Sequence, residues 1–191
     1  MRRTITTPIT LLLTVVTCAL ATAQIQEISE TDYAVLSGFL RTQPGKRGDI
    51  HLGIGGSLVA PLTNVFIKPL NEGERAGLRA RWQGLAADTI ESFQNCIAKP
   101  MAIGHRLDLP DEYEIAAPED IKDIKALYAH HPKANGYVHF SCVGVGRTGT
   151  QALFFLERWV HRFPDEGAWI LMERDASGNW VLKDMFVKWI V

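Results

Sequence analysis

The residues best suited to chemistry stand in the last third of the 191-residue chain, where His139 and Ser141 are two apart and Gln151, Glu157 and Trp159 follow. In an extended strand, positions i and i+2 share a face, so the imidazole at 139 and the hydroxyl at 141 would stand side by side. An imidazole can take a proton from a neighbouring hydroxyl or water, which is the core of a hydrolytic step. An acid to orient it is not close in sequence. If Gly144 to Thr148 form the turn, Ser141 lies opposite Gln151 and His139 opposite Leu153, with Glu157 two rungs away. One face then carries Tyr137, His139, Ser141, Gln151, Phe155, Glu157 and Trp159, and the other carries Val138, Phe140, Cys142, Ala152, Phe154 and Leu156. The first set joins aromatic bodies to hydrogen-bonding tips, as in the lining of a half-open ligand groove; a sheet face covered by a helix accounts for the same residues.

Two function classes follow. The first is a non-catalytic module that binds a protein or small ligand through His139, Ser141, Gln151, Glu157 and Trp159. The second is a hydrolase with His139 as base, acting through Ser141 or a water. The loop from 139 to 150, HFSCVGVGRTGT, is similar to the active-site loop of protein tyrosine phosphatases, whose chemistry needs a thiolate at a fixed distance before an arginine. Here Ser141 occupies the position of the nucleophile, and only four residues separate Cys142 from Arg147. The same loop spells G-x-G-x-x-G at Gly144, Gly146 and Gly149, but it lies too near the chain end for the βαβ units that a dinucleotide fold needs. A tight turn explains these glycines with less machinery.

Other chemistry is absent or isolated. No serine sits in a G-x-S-x-G elbow. His130 and His131 are adjacent, so on a helix they diverge by about 100° and cannot grip one metal ion as an i, i+4 pair would; a solvated helix end is the expectation. Arg47-Gly48-Asp49 is a turn-like tripeptide. No metal or cofactor is expected.

The elements that must position these residues are read from periodicity. Ser29 and Asp32 resemble a capping box, and Tyr33, Leu36, Phe39 and Leu40 predict a helix from Ser29 to Arg41. Residues 50–54 alternate as a short strand before a glycine-rich loop, and residues 65–70 read as extended. Leu78, Trp82, Leu85 and Phe93 predict the longest helix, from Glu74 to about Ile97. Met101 to Leu109 reads as extended. Pro118-Glu119-Asp120 opens a helix with Ile121, Ile124, Leu127 and Tyr128 on its stripe, ending at Pro132. Four strands follow between Gly136 and Val191, with Thr150 to Phe163 assigned as strand despite leucines at helical spacing.

Arg2 and Arg3 precede an apolar run of about a dozen residues, shorter than the roughly 20 of a membrane span, and Ala21-Thr22-Ala23 supplies a small-residue cleavage site. A signal peptide over residues 1–23 is therefore expected, with Gln24 as the new N-terminus and a secreted or periplasmic destination. Residues 24–191 then form a single exported domain with no integral membrane segment. Cys18 could carry lipid only with a better-matched segment before it. Loss of residues 1–23 leaves 18 basic against 21 acidic side chains, a charge of −3 that offers nucleic acid no footprint. The partner is an unidentified protein or small ligand. Cys96 continues the apolar helix stripe and Cys142 alternates with Val138 and Phe140, which places both toward the core. An oxidising compartment permits a disulfide between them; two buried thiols are the alternative.

The order GYVHFSCVGVG, TGTQALFFLERW, EGAWILMERD, SGNWVLKDMFVKWIV resembles the C-terminal signature of a family of small secreted bacterial proteins. That signature has a Ser-x-Val-Gly turn, a Thr-Gln-Ala-Leu strand, a Gly-aromatic strand and a terminal Gly-x-Trp-x-Val…Trp-Ile strand. The resemblance covers Pro132 to Val191, with Cys142 in place of a basic residue and Val145 in place of an aromatic. It implies an exported domain without an assigned activity. Helices first and strands last predict an α+β fold: N-terminal helices packed on one face of a C-terminal four-stranded antiparallel β-meander.

Overall fold

The computed structural model describes residues 25–41, 58–61, 63, 68–97, 100–104, 106–109, 113–134, 136–160 and 163–190. The expected signal peptide, the strand at 50–54 and the extended residues 65–67 lie outside these. The first helix, α1 (Glu30–Arg41), starts where its cap predicts. The Ser29 N–H donates to Asp32 Oδ2 at 3.0 Å and the Asp32 N–H donates to Ser29 Oγ at 3.2 Å, so each residue satisfies a donor of the helix entrance. Val35, Leu36, Phe39 and Leu40 are fully buried on its inner stripe.

The remaining elements, in chain order, are β1 (Leu58–Val59), α2 (Glu72–Arg81), α3 (Ala87–Cys96), β2 (Glu114–Ile115), α4 (Pro118–Lys122), α5 (Ile124–His130), β3 (Tyr137–Phe140), β4 (Gly144–Val145), β5 (Gln151–Val160), β6 (Phe163–Arg174) and β7 (Trp180–Ile190). They build one seven-stranded sheet in the order β2-β1-β3-β5-β6-β7, with β4 also paired to β5. β1 runs parallel to both β2 and β3, and the other pairings are antiparallel.

This architecture corrects the expected four-stranded meander with helices on one face. The sheet is mixed and larger, helices alternate with strands along the chain, and both faces are covered. Ala152, Phe154 and Leu156 of β5 pack with Ala168, Ile170 and Met172 of β6 under α1. The alternate residues Leu153, Phe155, Trp169 and Leu171 pack with Leu78, Ile90 and Phe93 of α2 and α3. Leu127 of α5 joins Leu58 and Tyr137 in a third cluster. β1 and β2 escaped notice because two residues cannot display a period of two. The long apolar runs of β5 and β6 reflect burial on both faces.

Two expected helices are each broken. The Leu78-to-Phe93 stripe belongs to α2 and α3, separated at Trp82, whose φ of −120° and ψ of 86° leave the helix. The apolar spacing survives because both pieces rest on the same sheet face. The helix from Pro118 divides at Asp123, whose side chain caps α5 by accepting from the Lys125 N–H at 2.9 Å.

Candidate functional site

β3 and β4 lie along the same edge of β5, but they are out of phase. Phe140 pairs with Leu156, whereas Gly144 pairs with Leu153, so three residues, Ser141 to Val143, face two. This is a β-bulge, and it reassigns three side chains. Ser141 donates its backbone N–H to Phe155 O at 2.8 Å, and its Oγ accepts the Phe155 N–H at 2.8 Å in place of a backbone carbonyl. The same Oγ donates to Cys142 O at 2.8 Å. Its hydroxyl is thus both donor and acceptor to the backbone, and the residue has no exposed surface.

The bulge also breaks the alternation that put Cys142 on the face of Val138 and Phe140. Val143 takes that face, packing among the residues under α1, and Cys142 turns to the opposite cluster. There it forms a disulfide with Cys96 at the end of α3, the Cα atoms 5.9 Å apart.

The glycines of the G-x-G-x-x-G string are accounted for one by one. A Cβ on Gly144 would lie 2.4 Å from the Phe93 N, so its bareness lets α3 lie directly on β4. A Cβ on Gly146 would lie 2.6 Å from Thr89 Oγ1. Gly149 has φ +67°, the left-handed conformation that closes the turn. The amides are engaged as well: Val145 N–H donates to Ser92 Oγ at 3.1 Å and Arg147 N–H to Asp88 Oδ2 at 3.1 Å. Gly146 and Gly149 N–H donate to Gln151 O and Gly146 O. Amides that would have to cradle a phosphate are bonded within the protein.

Because Gly144 and Val145 are strand and not turn, the expected register slides. His139 stands directly opposite Glu157, Tyr137 opposite Trp159, and Ser141 beside Phe155. The acid placed two rungs from His139 by sequence is its cross-strand neighbour. Gln151 is carried away from the group and holds the α2–α3 connection instead. Its Oε1 accepts from Ala86 N–H at 2.8 Å and from Thr89 Oγ1 at 3.3 Å, and its Nε2 donates to Gly84 O at 3.0 Å.

Of the expected site residues, the structure therefore brings together His139, Glu157 and Trp159. Trp159 stacks on Tyr137 with ring centroids 5.9 Å apart, and His139 meets Tyr137 edge-on at 5.1 Å. Trp159 Nε1 donates to Glu157 Oε2 at 3.3 Å. Burial alone drives the His139 ring pKa down to about 4, so it is neutral at pH 7. Its Nδ1 is buried without a hydrogen-bond partner among the described residues.

Next to Glu157, the one expected site residue that borders it, opens a groove of about 520 Å³ lined also by Leu70, Asn71 and Glu74 at the start of α2 and by Phe155, Trp169, Lys188 and Trp189 of the sheet; His139, Ser141, Gln151 and Trp159 are not part of its lining. Most of these residues escaped the sequence reading. A second bulge is responsible: Gly167 pairs with Trp189 but Ala168 pairs with Val187, leaving Lys188 extra. Lys188 and Trp189, adjacent in sequence, thereby both border the groove. A Cβ on Gly167 would lie 2.5 Å from the Trp189 indole and 2.7 Å from Phe155, so this glycine lets the rings close over the strand. The one sequence signal was Gly167 itself, an isolated glycine inside a strand pattern. Lys188 Nζ donates to Glu74 Oε1 at 2.8 Å, tying β7 to α2 across the rim. With Lys68, Glu74, Glu157 and Lys188, the groove's formal charges balance.

His130 ends α5 in solvent as expected, its side chain 63% exposed, whereas the His131 side chain is largely withdrawn. His130 Nδ1 lies 2.7 Å from Asp120 Oδ1, and His131 bridges Asp120 Oδ2 at 3.1 Å and Glu114 Oε1 at 2.6 Å. Burial opposes the charged form of His131, but the Asp120 and Glu114 carboxylates outweigh it and hold its pKa above the ordinary value. The hydrogen bonds from His130 and His131 hold Asp120 below its own. Among the described residues no group of three or more His, Cys, Asp or Glu is arranged to hold a metal ion, and no helix is long and apolar enough to cross a membrane. Compared with family models, curated proteins and solved structures, the chain has no match.

Proposed function

We propose that this chain is an exported, non-catalytic module that binds a small ligand, or an extended segment of a partner protein, in the groove beside Glu157. The observation that carries the reading is the groove itself: about 520 Å³, walled by Trp169, Trp189 and Phe155, with Glu157, Asn71 and Lys188 supplying polar contacts. A concave surface where aromatic walls meet polar and charged groups is suited to binding a ligand that has both apolar and polar parts. Export is part of the proposal, resting on Arg2-Arg3, the apolar run and Ala21-Thr22-Ala23. So is kinship with the small secreted bacterial proteins whose C-terminal pattern this chain resembles, and neither bears on the groove's chemistry.

A hydrolase with His139 as base has one observation in its favour, the position of Glu157 directly across the strand pair. Against it, the Ser141 hydroxyl is buried and committed to Phe155 and Cys142, which leaves only water as nucleophile. A thermal-shift screen of the purified protein against metabolites, peptides and metal ions tests the binding reading, because a ligand that prefers the folded state raises Tm. The expected result is a hit whose shift is lost in Trp189→Ala and Glu157→Gln. Hits that persist unchanged in both variants would place binding elsewhere, and turnover of a test ester abolished by His139→Ala would favour the hydrolase.

A further inference from the structure

On the other side of α2's first turn from the groove, a second cleft of about 550 Å³ lies between α2 and α3, lined by Leu70, Arg75, Arg79, Ala87, Ile90, Glu91, Gln94 and Asn95. Arg75 and Arg79 are four apart on α2, so their guanidinium groups emerge on one helix face a turn from each other. Among the described residues neither pairs with a carboxylate. Arg75 Nε is buried and has no hydrogen-bond acceptor there. Arg75 as a residue is only half-buried, but leaving this one N–H out of water and unpartnered carries a cost that a bound acceptor would remove.

The other polar groups of the cleft do not meet this need. Gln94 is spent on Leu70: its Oε1 accepts the Leu70 N–H at 3.1 Å and its Nε2 donates to Leu70 O at 2.7 Å. Glu91 is drawn the opposite way, toward Arg147, whose Nη2 lies 3.6 Å from Glu91 Oε2. Asn95 is exposed beside them. With Arg75 and Arg79 against the single carboxylate of Glu91, the cleft lining carries a net positive charge on a chain whose formal charge is −1.

We infer that the α2–α3 cleft is an oxyanion-binding site in which Arg75 and Arg79 hold the phosphate or carboxylate group of a small molecule. The planar guanidinium fork suits either group bidentately, and two forks one turn apart suit a group with three oxygens best. The volume exceeds that of a bare ion, so the remainder of the ligand rests on Leu70 and Ile90, which are buried at its floor. This site is separate from the groove beside Glu157 and stands or falls independently of it.

Isothermal titration calorimetry of the full-length protein at low ionic strength, with inorganic phosphate, glycerol phosphate and succinate as probes, is the test. Binding is expected for the phosphorylated probe, more tightly than for phosphate alone, and weakened about tenfold or more in Arg75→Gln and in Arg79→Gln. Lys133→Gln, an exposed cation remote from the cleft, should bind as the parent does. Because Arg79 is exposed, its variant retains the fold even if Arg75→Gln does not, and circular dichroism checks both. Tighter binding of succinate would assign the site to carboxylates. No heat with any probe to ~10 mM, or binding unaffected by Arg79→Gln, overturns the inference.

Discussion

Removing the Cys96–Cys142 bridge by the double substitution Cys96→Ala/Cys142→Ala should cost this protein a large share of its stability. The bridge spans a sequence separation of 46 residues. Closing a loop of that length restricts the unfolded chain by about 4 kcal/mol at 25 °C in the chain-entropy treatment. Domains of this size are stable by only about 5–15 kcal/mol in total. The native state should change little by comparison, since α3 stays seated on Gly144 and Phe93 remains packed against Trp169 at 5.2 Å. Equilibrium urea unfolding of parent and variant should therefore show a loss of about 3–4 kcal/mol. The m-value should rise, because an unbridged chain exposes more surface when unfolded. A variant within about 1 kcal/mol of the parent, with an unchanged m-value, would refute the reasoning. So would two titratable thiols in the denatured, unreduced parent.

The remaining expectations concern the loop and the two histidine environments. Gly144→Ala should destabilise by about 2 kcal/mol or more in chemical denaturation, because the atom a new Cβ meets belongs to the α3 backbone and cannot swing away. Arg147→Ala should change stability by no more than about 0.5 kcal/mol, its side chain being 81% exposed, whereas Gly149→Val at φ +67° should cost about 1 kcal/mol or more; phosphate or vanadate binding that is lost in Arg147→Ala would mean that the loop serves an anion after all. His139 titrates near 4 when folded, so between there and its ordinary 6.5 the unfolded chain binds more protons, and stability falls as the pH drops through that window. The total is about 3 kcal/mol; a His139 NMR titration midpoint near 6.5 would contradict it. His131 behaves oppositely: its contribution is complete below pH 6.5 and is lost as the pH rises through its elevated folded value, so His131→Gln should flatten the alkaline side of the stability profile.

The parts of this molecule legible in the sequence are those encoded within a few residues. The Ser29–Asp32 cap is one, since reciprocal bonds three residues apart need nothing from the rest of the chain. The strand over residues 151–160 was only partly legible, because its own spacing fits a helix as well and the assignment rests on the resemblance and on the β-rich hairpins that follow. The break at Trp82 was not legible, because the Gln151 side chain that braces Ala86 and Gly84 arrives from 65 and 67 residues away. The two-residue strands β1 and β2 were hidden for a similar reason: β1 exists as a strand only between its distant partners β2 and β3, and β2 only against β1.

The candidate site divides along the same line. Residue types alone identified His139, Ser141, Gln151, Glu157 and Trp159 as the polar and aromatic members of one stretch. Their grouping was decided by the bulge at Ser141–Val143, which slides the register, withdraws the Ser141 hydroxyl into the backbone, sends Gln151 to α3 and places Glu157 across from His139. A bulge inserts one residue and inverts the facing of those beyond it, yet it leaves no mark on composition. Which side of the sheet a residue occupies, and what lies over it, depends on register and on layers contributed by distant segments. The sequence by itself thus determined which groups were available, and the tertiary structure decided which of them meet.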